Sequence, residues 1–152
     1  HAFGKITLFF CAGAIFVATG KKYVSQMVGL GRQMPVTMLA FLFGSLSIIG
    51  LPPFGGAWSK WYLFLGALEA DQLAMAVVLI ISSILNIAYL LPIPINAFFR
   101  RPPQEDGQAE TIEIKEAPMA CVVPLSITAV GGLLLFLFPE LGFELAQLLT
   151  KK

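Results

Sequence analysis

The chain is expected to fold as an all-α membrane protein with about four transmembrane helices, one of them broken near its middle. Three observations predict this. The sequence is 57% hydrophobic and only 12% charged, where a soluble domain carries about 25% charged residues. It contains several uncharged apolar runs long enough to cross a hydrocarbon core of roughly 30 Å. Between Arg32 and Glu69 the single charged residue is Lys60, and just upstream Gly50-Leu51-Pro52-Pro53-Phe54-Gly55-Gly56 interrupts the apolar run. The net charge of +1 gives no support for nucleic-acid binding.

The first span covers about residues 1–20 and stops at Gly20-Lys21-Lys22. It opens on His1, inside an apolar segment without a basic leader, so it is not a signal peptide. The chain reads as a piece of a longer polypeptide. Residues 21–34 form a polar connection with Lys21, Lys22 and Arg32, and Pro35 suits the first turn of the next helix.

Residues 35–68 would make a straight helix of about 51 Å, too long for one crossing, whereas two crossings and a turn need roughly 40 residues. Pro52 and Pro53 remove backbone donors, and Gly50, Gly55 and Gly56 permit unusual dihedrals. The expected outcome is one discontinuous helix, about 35–50 and 56–68. A re-entrant hairpin is the alternative.

After the acidic turn Glu69-Ala70-Asp71-Gln72, residues 73–99 form the third span, kinked or ended by Pro92 and Pro94. Residues 100–118 are a hydrophilic loop, and residues 119–138 are the fourth span. Residues 1–138 thus form the transmembrane part. Residues 139–152 form an amphipathic tail, with Leu141, Leu145, Leu148 and Leu149 at helical spacing before Lys151-Lys152. Basic residues in 21–34 and 100–118 place both loops in the cytoplasm of a multi-pass protein. Lys151-Lys152 would then lie outside, which runs against the rule.

Lys60 is the leading candidate for function. A charge at a helix centre costs roughly 2.5–3.5 kcal/mol on insertion scales. Counted back from Glu69, Lys60 lies about 13 Å along the helix axis, too deep for easy snorkelling. It should face the bundle interior or a hydrated cavity, where it can exchange a proton. The bland alternative is a lysine that binds a carbonyl freed by the break. His1 and Lys5, at i and i+4, share a helix face and form a plausible relay segment, or simply lie near an aqueous helix end.

Ser82, Asn86 and Tyr89 share a face and could hold waters, although interhelical hydrogen bonding explains them equally. Ser83 falls in the same two turns. Ala40 and Gly44 fit a small-residue packing face. Trp58, Trp61 and Tyr62 read as packing residues near the break. Cys11 and Cys121 read as small buried hydrophobes. No phosphate loop, dinucleotide fingerprint, nucleophile elbow or metal-ligand cluster is present, so no cofactor and no catalytic residue is expected.

Three stretches are familiar. His1-Ala2-Phe3-Gly4-Lys5 with Leu8-Phe9-Phe10 and Gly13 resembles a HAxxKxxLFxxxG helix. Gly29-Leu30-Gly31-Arg32-Gln33-Met34-Pro35 follows. Ile49-Gly50-Leu51-Pro52-Pro53-Phe54-Gly55-Gly56-Ala57-Trp58-Ser59-Lys60-Trp61 is similar to GLPPxxGFxSKW. In this order and spacing they resemble the antiporter-like proton-pumping membrane subunits, which include the large membrane subunits of respiratory complex I and of Mrp-type sodium/proton antiporters. Ser59-Lys60-Trp61-Tyr62-Leu63 and Ala18-Thr19-Gly20-Lys21-Lys22 look closer to the D-type member of the Mrp antiporters. Residues 65–152 add matching hydropathy and the stretch 85–92.

The resemblance implies about fourteen transmembrane helices in two inverted repeats, each with a broken helix, of which this chain is a C-terminal part. It implies that Lys60 is a proton-transfer lysine, and that His1 and Lys5 belong to a central hydrophilic axis. The family's glutamate–lysine pair of the first repeat has no counterpart here. The expected function is proton translocation, with sodium as a candidate second ion, by a lysine/histidine relay. The setting would be a multisubunit antiporter or NADH-quinone oxidoreductase-type complex in a bacterial-type inner membrane. Expected partners are the preceding portion of the same subunit, other membrane subunits and the lipid bilayer. The alternative is a structural helix bundle that scaffolds partner subunits and has no proton path of its own.

Overall fold

The computed structural model of the chain describes residues 1–100 and 114–150. Among these, helices account for all regular structure: α1 Ala2–Thr19, α2 Leu30–Gln33, α3 Pro35–Ile49, α4 Gly56–Glu69, α5 Leu73–Leu90, α6 Pro92–Phe99, α7 Met119–Leu137 and α8 Glu140–Thr150. Loop residues Arg101, Glu105, Asp106, Glu110 and Glu113 lie outside the described residues, as do Lys151 and Lys152. So do the side chains of Leu141, Leu145 and Leu149.

Three helical stretches are long and apolar enough to cross a membrane: Ala2–Thr19, Leu73–Phe99 and Met119–Leu137. The fourth element is the discontinuous helix. At 1.5 Å per residue α3 and α4 are each only about 21–23 Å long, and the break between them carries the chain from one to the other. Pro35 occupies the first turn of α3, as its missing donor favours. Pro92 kinks rather than ends the third stretch, because Leu91 keeps helical dihedrals (φ −69°, ψ −35°).

The core is a three-helix packing of α1, α3 and α7. On α1 the buried residues are Gly4, Thr7, Cys11, Ala14 and Ile15, a stripe at helical spacing. Gly4 lies against Gly44 and Ile48, and Gly44 against Leu8, so α1 and α3 run antiparallel and nearly touch backbones. Ala40 and Gly44 are both buried at this contact, as the small-residue spacing implies. Thr7 and Thr128 join α1 to α7 with their hydroxyls 2.9 Å apart. Cys11 is fully buried and Cys121 packs at the edge of the same cluster.

The connection at 21–34 is more ordered than its polarity suggests. It holds a 3-10 turn, Val24–Met27, and the short helix α2. Leu30 and Gly31 are buried, with Gly31 close to the Phe98 ring of α6. The reason is tertiary: Leu30 and Met34 join a core cluster with Ala97, Ile93 and Phe98 of α6, a pairing no local pattern announces.

Residues 114–118 return to this same end. The Lys115 N–H donates to the Gln33 carbonyl at 2.9 Å. Glu116 accepts from the Val36 N–H at 2.6 Å and from the Thr37 hydroxyl at 2.8 Å. Met34, the residue before α3, supplies no side-chain cap. Glu116 therefore caps α3 from far along the chain, its carboxylate beside a positive helix end.

Candidate functional site

The site is built on the break. α3 ends at Gly50, whose left-handed dihedrals (φ 85°, ψ 36°) suit glycine. The N–H groups of Gly50 and Leu51 both donate to the Leu46 carbonyl. The chain then turns through Pro52 and Pro53, which are exposed and joined by a cis peptide bond. Phe54 tucks inward and meets the Phe43 ring with centroids 5.1 Å apart.

Gly55 N–H donates to the Gly132 carbonyl of α7 at 3.1 Å. Gly56 starts α4 against the Ser47 carbonyl, where a Cβ would collide with that oxygen. Irregular backbone at membrane depth needs such protein partners, and α3 and α7 supply them.

Ile49 belongs to the last turn of α3, where carbonyls have no N–H ahead of them in the helix. Lys60 Nζ donates to the Ile49 carbonyl at 2.8 Å. Its stem passes over Gly50, where a Cβ would stand 2.6 Å from Lys60 Cδ. Nζ also donates to Ser83 Oγ of α5 at 2.8 Å. Ser83 in turn donates to the Leu79 carbonyl at 3.0 Å. One ammonium thus ties together the end of α3, the start of α4 and the middle of α5.

Lys60 projects into a mostly apolar cavity of about 660 Å³, with Leu51, Trp61, Phe64, Ile80, Ser83 and Ile84 among its walls. A second cavity of about 570 Å³ also borders the break. It is lined by His1, Ser47, Gly55, Gly56, Ser59 and Glu140 among others. Trp58 lines both. Its indole N–H donates to the Phe136 carbonyl of α7 at 3.2 Å, and its ring stacks on Phe136 and Tyr62. Gly50 and Pro52 face the Lys60 cavity, whereas Gly55 and Gly56 face the His1 cavity.

The sequence-predicted residues are therefore not gathered into one cluster. Lys60 lies in the first cavity and His1 in the second. Lys5 is exposed on α1, outside both. The hydrogen bonds of Lys60 run to Ile49 and Ser83. On α5, Ser82 is exposed, and Tyr89 donates to Asn86 at 2.7 Å.

Ser83, one residue from the expected face, is the hydroxyl that meets Lys60. Both serines were visible in the sequence, and only the rotation of α5 against α4 decides between them. Glu116 was also hidden, since it lies outside any helix and its partners Val36 and Thr37 are on α3, about eighty residues earlier. Among the described residues no group of three or more His, Cys, Asp or Glu is placed to hold a metal.

Comparison with known proteins places this geometry in context. Residues 1–86 match the family described as NADH:quinone oxidoreductase/Mrp antiporter, transmembrane. The chain is 40% identical over 147 residues to NADH-quinone oxidoreductase subunit N of Desulforudis audaxviator (strain MP104C), covering 92% of this chain and 29% of that protein. It is 28% identical to F(420)H(2) dehydrogenase subunit N of Methanosarcina mazei, covering 97% of this chain and 30% of that one.

Among solved structures, a chain of the Mrp complex from Dietzia sp. DQ12-45-1b matches with a TM-score of 0.82 and 27% identity, covering 95% of this chain and 34% of that chain. The chain thus spans about three tenths of the length of these relatives. Similarity reaches both branches of the family, quinone oxidoreductase subunits by sequence and an Mrp complex by structure.

Proposed function

The chain belongs to the NADH:quinone oxidoreductase/Mrp antiporter transmembrane family, and on that premise we propose that it contributes a proton-transfer station to a multisubunit ion-translocating membrane complex. Lys60 is the station. The observation that carries this reading is one lysine amine held at the helix break in a mostly apolar cavity, by one carbonyl and one hydroxyl. A titratable group so placed in a membrane is by default functional. The broken backbone gives it a fixed acceptor, and among the described residues no carboxylate pairs with it to trap its proton.

His1 and Lys5 form the neighbouring stretch of the relay. His1 lines the second cavity, which shares Trp58 with the first, so transfer between the two passes around or beside that ring. The exposed face of α1 that carries Lys5 packs against the preceding portion of the same subunit. The ion moved is the proton, with sodium as the exchanged ion in an Mrp-type assembly. Other membrane subunits of the complex are the partners. The loops 21–34 and 100–118 face the cytoplasm of a bacterial-type inner membrane, as their basic residues favour. Residues 1–138 form the transmembrane part, and 139–152 form an amphipathic C-terminal tail.

Lys60→Ala should abolish proton translocation by the complete complex while leaving assembly at its normal level. Unimpaired translocation would sink the reading. A second reading also has an observation behind it, because Lys60 ties the end of α3 to α4 and α5. In that case the chain is a scaffold and Lys60 is a brace. Lys60→Ala would then lower the amount of assembled complex, and Lys60→Arg, which keeps the donors, would restore it.

A further inference from the structure

We infer that Ser83 is the positioning residue that serves Lys60 in both of its protonation states. The inference rests on the proposed proton-transfer role of Lys60. A charged lysine has three donors and no acceptor. Its two partners are then the Ile49 carbonyl and the Ser83 oxygen, each 2.8 Å from Nζ. Once the ammonium has released a proton, the amine carries a lone pair that wants a donor.

The Ile49 carbonyl can only accept. Ser83 has one O–H and two lone pairs, and the O–H now points to the Leu79 carbonyl of its own helix. That carbonyl keeps its ordinary helical partner, the N–H four residues on. The hydroxyl can therefore swing from Leu79 to the amine without orphaning a backbone group. No bond between heavy atoms forms or breaks. The proton leaves Nζ for the next carrier, the lone pair stays on nitrogen, and the serine keeps its own hydrogen.

The surroundings leave no substitute. Among the described residues, the cavity walls from α3, α5 and α7 and from the break present no other titratable or charged group, and besides Ser83 they are apolar or aromatic side chains and glycine. Asn86 bonds Tyr89 and does not line this cavity. Ser83 is thus the one side-chain hydroxyl among the described residues that lines this cavity, and it is placed on α5 so that a change of state at Lys60 is felt by a second helix.

The test uses the complete complex in membrane vesicles, with proton translocation measured from about pH 6 to 9 and normalised to assembled complex. Ser83→Ala should slow translocation about tenfold at neutral pH and move its pH profile about one unit toward acid, since the ammonium loses a charge-assisted bond. Ser83→Thr keeps the hydroxyl and should restore both rate and profile. Ser83→Cys matches the size but accepts poorly from an ammonium, and should show the displaced profile; it also serves if the alanine variant assembles badly.

A wild-type rate and profile in the alanine or cysteine variant would overturn the inference, as would failure of threonine to restore them. Lys60→Ala, run alongside, separates the two claims. If it too is silent, the role of Lys60 has failed. If it is dead while the Ser83 variants behave as wild type, only the role of Ser83 has failed.

Discussion

At the scale of single residues, the environment of Lys60 explains how a charge persists in an apolar segment. A charge without partners inside a membrane is expensive. Here the helix break itself provides a carbonyl, the αL glycine at position 50 makes room for the stem, and Ser83 fills a second donor. Glu116 does related work at the other end of α3, where it replaces the missing cap. Glu116→Ala should lower the stability of the assembled complex by about 1 kcal/mol, the usual worth of a lost helix cap. Glu116→Gln, which keeps one acceptor oxygen, should lose less. Thermal unfolding of the solubilised complex, compared across the three proteins, checks this order.

The sequence made Lys60 visible because a lone charge in a long apolar run is conspicuous. It left Ser83 ambiguous beside Ser82, since both fit one helix and only packing against α4 selects between them. Glu116 was illegible, because a cap supplied from a distant segment has no local signature.

At the scale of elements, the break at 50–55 is held by contacts on two sides. Gly55 bonds to Gly132 of α7, and Gly56 lies against the Ser47 carbonyl of α3. Gly56→Ala should therefore push α4 away from α3 and cost about 1–3 kcal/mol, as overpacking of a tight contact does. It should also reduce translocation, because Lys60 sits one helical turn farther along. The measurement is the yield and thermal midpoint of assembled complex, with transport read on what assembles. A variant with unchanged stability and transport would mean that the close approach of α4 to α3 is dispensable.

The discontinuity of this helix was readable from Pro52-Pro53 among glycines, and its length ruled out a single straight crossing. The kink at Pro92 and the start of α3 at Pro35 were readable for the same reason: proline acts locally through its fixed φ and absent donor. The order within 21–34 was not readable. Its short helix exists because α6 covers Leu30 and Gly31, and that depends on residues more than sixty positions away in the chain.

At the scale of the whole molecule, α1, α3 and α7 form a packed unit, while α5 turns a nearly uncharged face outward. Such a face suits lipid or apolar protein. The outer face of α1 differs, since Lys5 sits among Phe3, Ile6, Phe9 and Phe10. A lysine there calls for a partner that brings an acceptor, and the chain covers only about three tenths of its relatives' length. The two cavities, both lined by Trp58, give the proposed relay its layout, with Lys60 in one and His1 in the other.

The central claim is that Lys60 carries a proton rather than merely bracing the break. The most direct measurement is proton translocation by the complete complex bearing Lys60→Ala in sealed vesicles, normalised to the amount of assembled complex. A proton-carrying Lys60 predicts normal assembly with translocation abolished, because among the described residues no other titratable side chain lines its cavity to take over. Translocation at the wild-type rate in a normally assembled complex would contradict it.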